Sequence, residues 1–129
     1  MTVERHGSGV EYESVVGYSR VVRAGSHVWV AGCTAVMEDG VIAGPGDPYV
    51  QAQQALTNVE AALAMVGARM DDVVRTRMYV TDISQWEAVG RAHGEAFSDI
   101  RPVTAMLEVS ALIDPRMLVE IEVDAYIGG

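Results

Sequence analysis

The sequence contains no lysine, and all nine of its basic residues are arginines. This absence excludes several kinds of chemistry, because a catalytic Schiff base, an anchored pyridoxal phosphate and a phosphate-binding P-loop each need a lysine side chain. The three histidines, His6, His27 and His93, do not have the spacing of metal ligands. We therefore predict no metal site.

Cysteine and long apolar segments are also scarce. Cys33 is the sole cysteine, which permits no intrachain disulfide and fits a reducing compartment. No apolar run approaches the roughly 18 residues that a membrane span needs, and residues 1–14 lack the hydrophobic region of an export signal. We expect a cytoplasmic protein that does not associate with membranes.

Acidic residues outnumber basic ones, and the net charge is −9. This balance argues against a nucleic-acid partner, because affinity for the phosphate backbone comes mostly from positive charge. Half of the 129 residues are hydrophobic, which is high for a small monomer. We expect a single domain, residues 1–129, that buries part of its apolar surface between subunits.

Two segments are predicted to be α-helices, residues 47–68 and 84–97. In the first, Asp47 is a suitable N-cap before a proline at the first helical position, and Gly67 supplies the C-terminal stop. In the second, Ser84 begins a capping box with the glutamate three residues later. The apolar face of this second helix is predicted to comprise Trp86, Val89, His93, Ala96 and Phe97.

Other segments have the composition and alternation of strands. Residues 18–24 and 27–35 flank a Gly25-Ser26 turn and should form a hairpin. The remaining predicted strands are residues 41–44, 73–82, 103–110 and 117–127. This order of elements predicts an α+β fold with a mixed sheet of about six strands and both helices on one face.

The last predicted strand carries three acids on one side, Glu120, Glu122 and Asp124, and only apolar residues on the other. Arg75 and Arg77 are predicted to lie on the same mixed face, where arginines and carboxylates on neighbouring strands can pair. Thr104, Met106 and Glu108 are assigned to this face as well, and Val74 to the apolar one. A face with so much charge among apolar side chains is typical of the wall of an oligomer.

The sequence resembles the RidA/YjgF family, the reactive intermediate deaminases, over nearly its whole length. Four stretches carry the resemblance: residues 24–35, 46–89, 101–112 and 118–126. It implies a chorismate-mutase-like fold, a homotrimer whose sheets line an inner barrel, and three ligand clefts between adjacent subunits. It also implies hydrolysis of enamines and imines, such as 2-aminoacrylate, to 2-keto acids and ammonia without a cofactor.

Carried over residue by residue, the resemblance is incomplete. Glu120 matches the glutamate that orients the attacking water, and Tyr18 matches the tyrosine of the N-terminal loop that reaches the neighbouring cleft. The family arginine that grips the substrate carboxylate lies two places after a proline; here Pro102 is followed two places later by Thr104. Met106 replaces a family cysteine. The resemblance therefore implies that the substrate is not a simple 2-imino acid.

Several of these residues have a second interpretation. Glu120 is either a general base or one more wall charge paired with Arg75 or Arg77. Arg77 either replaces the missing arginine or is a structural ion-pair partner. Cys33 is either a cleft nucleophile or a small buried residue, and His93 is interpreted as a packed side chain.

The sequence thus predicts a homotrimer that hydrolyses a reactive imine or enamine metabolite in intersubunit clefts. The alternative is a non-catalytic trimer that binds a small metabolite in the same clefts. Ribonuclease activity, which is sometimes attached to relatives, is disfavoured by the negative charge.

Overall fold

Six strands form one mixed sheet in the computed structural model, which describes residues 2–128. The strands lie in the order β1-β2-β3-β6-β4-β5. Each neighbouring pair is antiparallel except β4 and β5, which are parallel. The predicted α+β class and six-stranded mixed sheet are confirmed. The bounds are β1 Val3–His6, β2 Val21–Ala24, β3 His27–Cys33, β4 Val73–Val80, β5 Val103–Glu108 and β6 Val119–Tyr126.

Three α-helices accompany the sheet: α1 Glu11–Val16, α2 Pro48–Ala64 and α3 Trp86–Phe97. The predicted start of α2 is confirmed, since the Asp47 carboxylate accepts hydrogen bonds from the amides of Tyr49 and Val50, both at 3.1 Å. The chain leaves this helix through Gly67, whose φ of 78° is a left-handed conformation that favours glycine.

The predicted cap of α3 is wrong. Residues 83–85 form a turn of 3₁₀ helix that precedes α3, and Asp82 caps this turn by accepting a hydrogen bond from the Ser84 amide at 3.0 Å. Trp86, predicted to lie on the packed face, is 55% exposed at the first residue of the helix. The buried face of α3 is instead formed by Val89, Ala92 and Phe97.

The core lies between the helices and one face of the sheet. Helix α2 contributes the small side chains Ala52, Ala55 and Ala62, which let it approach the strands closely. Strand β6 is central and presents four buried residues to the helices: Val119, Ile121, Val123 and Ala125.

The strands differ from prediction at several places. Strand β2 begins at Val21 rather than at residue 18, and residues 41–44 contribute only an isolated bridge between Val36 and Ile42. An irregularity between Val73 and Arg75 interrupts the alternation of β4, so Val74 is 50% exposed instead of packed. Strand β1 and helix α1 were not predicted, because β1 is only four residues long with three of them exposed, and α1 has only six residues.

Candidate functional site

The face of the sheet away from the helices, called here the open face, carries the three acids of β6. The antiparallel register sets Tyr79 of β4 opposite Glu120, Arg77 opposite Glu122, and Arg75 opposite Asp124. Paired residues in a sheet point to the same side. The arginines therefore lie beside the acids on the open face.

Two of the three acids are neutralised by these arginines. Arg77 Nη1 lies 3.6 Å from Glu122 Oε1 and 3.8 Å from Asp124 Oδ2, and Arg75 Nε lies 3.9 Å from Asp124 Oδ2. The Tyr79 hydroxyl also donates to Glu122 Oε1 at 2.5 Å. These contacts account for Glu122 and Asp124 as structural residues of the open face.

Glu120 is different, because its carboxylate makes no hydrogen bond or ion pair to any of residues 2–128. It is half-buried and lies over Gly32, where an added Cβ would come within 2.6 Å of its Cδ atom. Burial raises the pKa of Glu120; repulsion from Glu122 adds to this rise and Arg20 partly opposes it. A carboxylate with a raised pKa and free lone pairs is suited to accept a proton from water.

Beneath Glu120 lies a buried ion pair that the sequence pattern did not reveal. Arg20 Nε is 3.1 Å from Glu13 Oε2, with both side chains less than a tenth exposed. Arg20 Nη1 donates to the carbonyl oxygen of Gly32 at 2.6 Å, and both the amide and the hydroxyl of Ser8 donate to the Glu13 carboxylate. Arg20 thereby fixes the stretch of β3 on which Glu120 rests.

Tyr18 is joined to the same network. Its hydroxyl accepts a hydrogen bond from Arg20 Nη2 at 3.2 Å, and the guanidinium carbon lies 5.5 Å from the centre of its ring. Tyr18 is half-buried in the segment that links α1 to β2. The structure therefore relates Tyr18 to Glu120 through Arg20 within one chain.

Cys33 lies in the core beside this network. Its Sγ accepts from Arg20 Nη1 at 3.6 Å and donates to the Ala31 carbonyl at 3.4 Å. Burial is the main reason that the pKa of the thiol rises to about 11. A thiol with this pKa is protonated at neutral pH, which favours the interpretation of Cys33 as a small buried residue over that of a nucleophile.

Thr104 and Met106 are not on the open face. The parallel register of β4 and β5 places Thr104 opposite Thr76 and Met106 opposite Met78, and both partners are buried on the helix side. Thr76 Oγ1 donates to Thr104 Oγ1 at 2.6 Å. Met106 is half-buried and packs against the core.

The prediction that Arg77 shares a face with Thr104 is therefore wrong, because Arg77 is opposite Ala105. The error arose from assigning the faces of β5 by polarity. Strand β5 is the edge strand of the sheet, and most of its residues on both sides are exposed. Polarity does not distinguish the two sides of such a strand, so only the register does.

One chain thus presents two separate groups of candidate residues. The first group, Glu120 with Gly32, Arg20 and Tyr18, lies on and under the open face. The second, Thr104 and Met106, lies on the opposite side at the sheet edge. Among residues 2–128 no cluster of three or more His, Cys, Asp or Glu side chains is arranged to hold a metal ion. In the same range, no helix is both long enough and apolar enough to cross a membrane.

Comparison with known proteins agrees with this architecture. A family model described as Endoribonuclease L-PSP matches residues 9–127. An uncharacterized protein of Streptomyces coelicolor, SCO2049, is 44% identical over 126 residues, which cover 98% of this chain and 93% of that protein. The RutC family protein UK114 of Drosophila melanogaster is 32% identical over 114 residues, covering 88% and 82% of the two chains.

Among solved structures, Rv2704 from Mycobacterium tuberculosis, a member of the YjgF/YER057c/UK114 family, superimposes with a TM-score of 0.90 at 52% identity, covering 98% of this chain and all of that one. The chain belongs to the RidA/YjgF family.

Proposed function

We propose that the protein hydrolyses a reactive enamine or imine metabolite to a carbonyl compound and ammonia. The observation that carries this proposal is the state of Glu120, the one acid of β6 that no arginine neutralises in the described chain and whose pKa burial raises. An unpaired, half-buried carboxylate costs stability, which is a reason to connect it with chemistry rather than with packing.

The proposed reaction is addition of water to the C=N bond. Glu120 accepts a proton as the water oxygen bonds to the imine carbon and the C=N electron pair moves to nitrogen, and it then delivers that proton to the nitrogen to give a neutral carbinolamine. In the second step Glu120 accepts the hydroxyl proton of the carbinolamine as the C=O bond forms and the C–N bond breaks, and it returns this proton to the leaving nitrogen, which departs as ammonia. Arg20 is positioned to hold β3 and Tyr18 around this water, and the reaction needs no cofactor.

We further propose a cytoplasmic homotrimer of the chorismate-mutase-like kind, in which each cleft lies between two subunits. Glu120 and Thr104 lie on opposite sides of one sheet, so only residues of a second copy can complete a cleft that contains both. Large apolar side chains on the open face support an interface there: Trp29 at 46%, Tyr126 at 48%, Leu107 at 51% and Val103 at 59% exposure.

The oligomer is tested by sedimentation equilibrium. A trimer mass is expected for the native chain, and Leu107→Glu should shift it towards the monomer by placing a charge in the interface. The matched control is Val15→Glu, which alters an exposed residue of α1. A monomeric native chain would remove the cleft and with it the proposed mechanism.

The reaction is tested by release of ammonia and the carbonyl product from 2-aminoacrylate, from longer imino acids and from the corresponding amides, all generated in situ. Glu120→Gln should lower the rate about 10²–10⁴-fold, the usual contribution of a general base. Glu122→Gln, which changes a neighbouring acid of the same strand, should retain most of it. A native rate no higher than that of buffer would favour the alternative, a trimer that binds a metabolite without turnover.

Nucleic acid is not among the proposed partners, although the matching family model is named for an endoribonuclease. The charge of −9 opposes a phosphate backbone, and the arginines of the open face are engaged by Glu122 and Asp124.

A further inference from the structure

A chain of three polar side chains runs from the interior to the edge of the sheet. Thr76 of β4 is fully buried on the helix side, yet it carries a hydroxyl group. This hydroxyl contacts His93 Nε2 of α3 at 2.8 Å and donates to Thr104 Oγ1 of β5 at 2.6 Å. His93 is half-buried, and Thr104 is exposed.

Each hydroxyl of this chain has a single proton, so the hydrogen bonds run in one of two directions, which the tautomer of His93 sets. With a hydrogen on His93 Nε2, Thr76 accepts the hydrogen bond from His93 and donates to Thr104. The proton of Thr104 is then left free to point away from Thr76. A protonated imidazole would impose the same direction, since it too donates from Nε2. The exposed end of the chain is therefore an oriented hydrogen-bond donor.

The hydrogen-bonded chain carries no charge at either end. The Thr104 hydroxyl is neutral, and burial lowers the pKa of His93, so the imidazole ring is neutral at pH 7. Arg101 is the charged side chain that shares with His93 the lining of a cavity of about 360 Å³ at the end of α3. Its Nε, however, donates to the Ser98 carbonyl at 3.0 Å, at the C-terminus of that helix. A guanidinium bound to a helix C-terminus is in a favourable electrostatic position of its own.

We propose that Thr104 donates a hydrogen bond to an uncharged oxygen acceptor of the ligand, such as the carbonyl of an amide or ester, and that His93 acts through Thr76 as the residue that orients this donor. The inference rests on the proposed function, because it places the ligand in the cleft where Thr104 of one subunit faces its neighbour. It assigns the substrate to the class of enamines and imines that carry a neutral carbonyl group where a carboxylate would otherwise lie.

The choice between neutral and anionic ligands follows from the charges of the groups around Thr104. A carboxylate bound at Thr104 itself would exchange its hydration for one neutral donor, which repays a charged group poorly. It would also approach the open face, where acids outnumber arginines. A neutral carbonyl loses much less hydration and needs only the single donor that Thr104 supplies.

The test compares pyruvamide with pyruvate, two small probes that differ in the charge of one end. Dissociation constants are measured by NMR titration of the native protein. Pyruvamide is expected to bind more tightly than pyruvate. Thr104→Val replaces an exposed side chain by one of equal shape without the hydroxyl, and it should weaken the binding of pyruvamide about two- to tenfold, the usual effect of one hydrogen bond. Thr104→Arg should reverse the order of the two probes. Equal or tighter binding of pyruvate by the native protein would overturn the inference.

The orienting role of His93 is tested separately. The ¹⁵N shifts of His93 should report the Nε2–H tautomer in the native protein and a mixture of tautomers in Thr76→Val. His93→Gln, whose amide is a donor, should keep the preference for pyruvamide, whereas His93→Leu should lose it. An Nδ1–H tautomer in the native protein would contradict the direction of the chain.

These outcomes are separable from those of the proposed reaction, because neither probe is turned over. A protein that binds pyruvamide selectively through Thr104 but hydrolyses no imine would retain this inference and lose the catalytic proposal. A protein that hydrolyses imines but binds the two probes equally well would retain the catalytic proposal and lose this inference.

Discussion

The two sides of strand β6 are built on different principles although they alternate residue by residue. On the covered side, Val119, Ile121, Val123 and Ala125 are each at most 3% exposed and pack against the helices. On the open side, Glu122 and Asp124 are about one-third exposed and paired with arginines. Glu120 belongs to the open side by position but is unpaired. Burial therefore explains four of the eight residues of β6 and charge neutralisation explains two. Tyr126 is an exposed apolar side chain, and Glu120 needs another reason.

Removing Arg20 should have the largest effect on stability, because it breaks an ion pair that lies deeper than those of the open face. Arg20→Met leaves Glu13 buried without its cation, which should cost about 3–5 kcal/mol in the free energy of unfolding. Arg75→Met is the matched control at an exposed pair. Urea denaturation measures both, and equal losses for the two variants would show that the buried pair contributes no more than a surface one.

The contrast between the two sides of β6 is tested directly by neighbouring substitutions. Ile121→Ala removes a fully buried side chain and should cost about 2–5 kcal/mol, because a cavity remains in the packed core. Glu122→Ala, one residue away on the open side, should cost less than about 1 kcal/mol. The measurement is again the urea midpoint, with the slope checked for constancy. Similar losses would mean that the open face is packed as tightly as the covered one.

Glu120 should behave oppositely to its neighbours, because the substitution that removes its charge is expected to stabilise the fold. Its folded pKa is raised, so its contribution to stability is fully present below the unfolded pKa and is lost as pH rises through the folded pKa. Glu120→Gln should therefore unfold at a higher midpoint than the native chain at pH 7, by less than the loss in Ile121→Ala, and the difference should shrink towards pH 4. Glu122→Gln is the control. A lower midpoint for Glu120→Gln at pH 7 would show that the native carboxylate has a stabilising partner.

The smallest effect is expected for the pair between Arg75 and Asp124. Both side chains are partly exposed and their closest atoms are 3.9 Å apart. A double-mutant cycle with Arg75→Met and Asp124→Asn should give a coupling of about 0.2–1 kcal/mol that falls with added salt. A coupling that salt leaves unchanged would indicate that the open face is shielded from solvent, as it would be inside an oligomer.

How far the sequence predicts this molecule depends on whether the determining contacts are local. Helix α2 was predicted correctly because Asp47, the following proline and Gly67 act within a few residues of its ends. The faces of β6 were predicted because a central strand with one buried side alternates strictly. Both signals lie in short stretches of sequence.

The remaining features depend on contacts that no short pattern encodes. The side of the sheet on which Thr104 lies is set by its parallel register with Thr76, a residue 28 positions earlier in the sequence. Because β5 is an exposed edge strand, the polarity of its residues does not show which side this is. The ion pair between Arg20 and Glu13 was also not predictable, because the sequence does not distinguish a buried charged residue from an exposed one. The sequence left two alternatives for Glu120, a general base or a paired charge, because it does not show that Arg75 and Arg77, which lie on the same face, are taken by other acids.

The burial of Cys33 has a practical consequence for work on this molecule. As the sole thiol, protonated and enclosed beside Arg20, it should react with alkylating reagents only when β3 detaches from its neighbours. The rate at which the native chain gains one alkyl adduct, followed by mass spectrometry, therefore times the spontaneous opening of the strand on which Glu120 rests. The native cysteine thus reports the rate of this local opening, and no engineered label is needed to measure it.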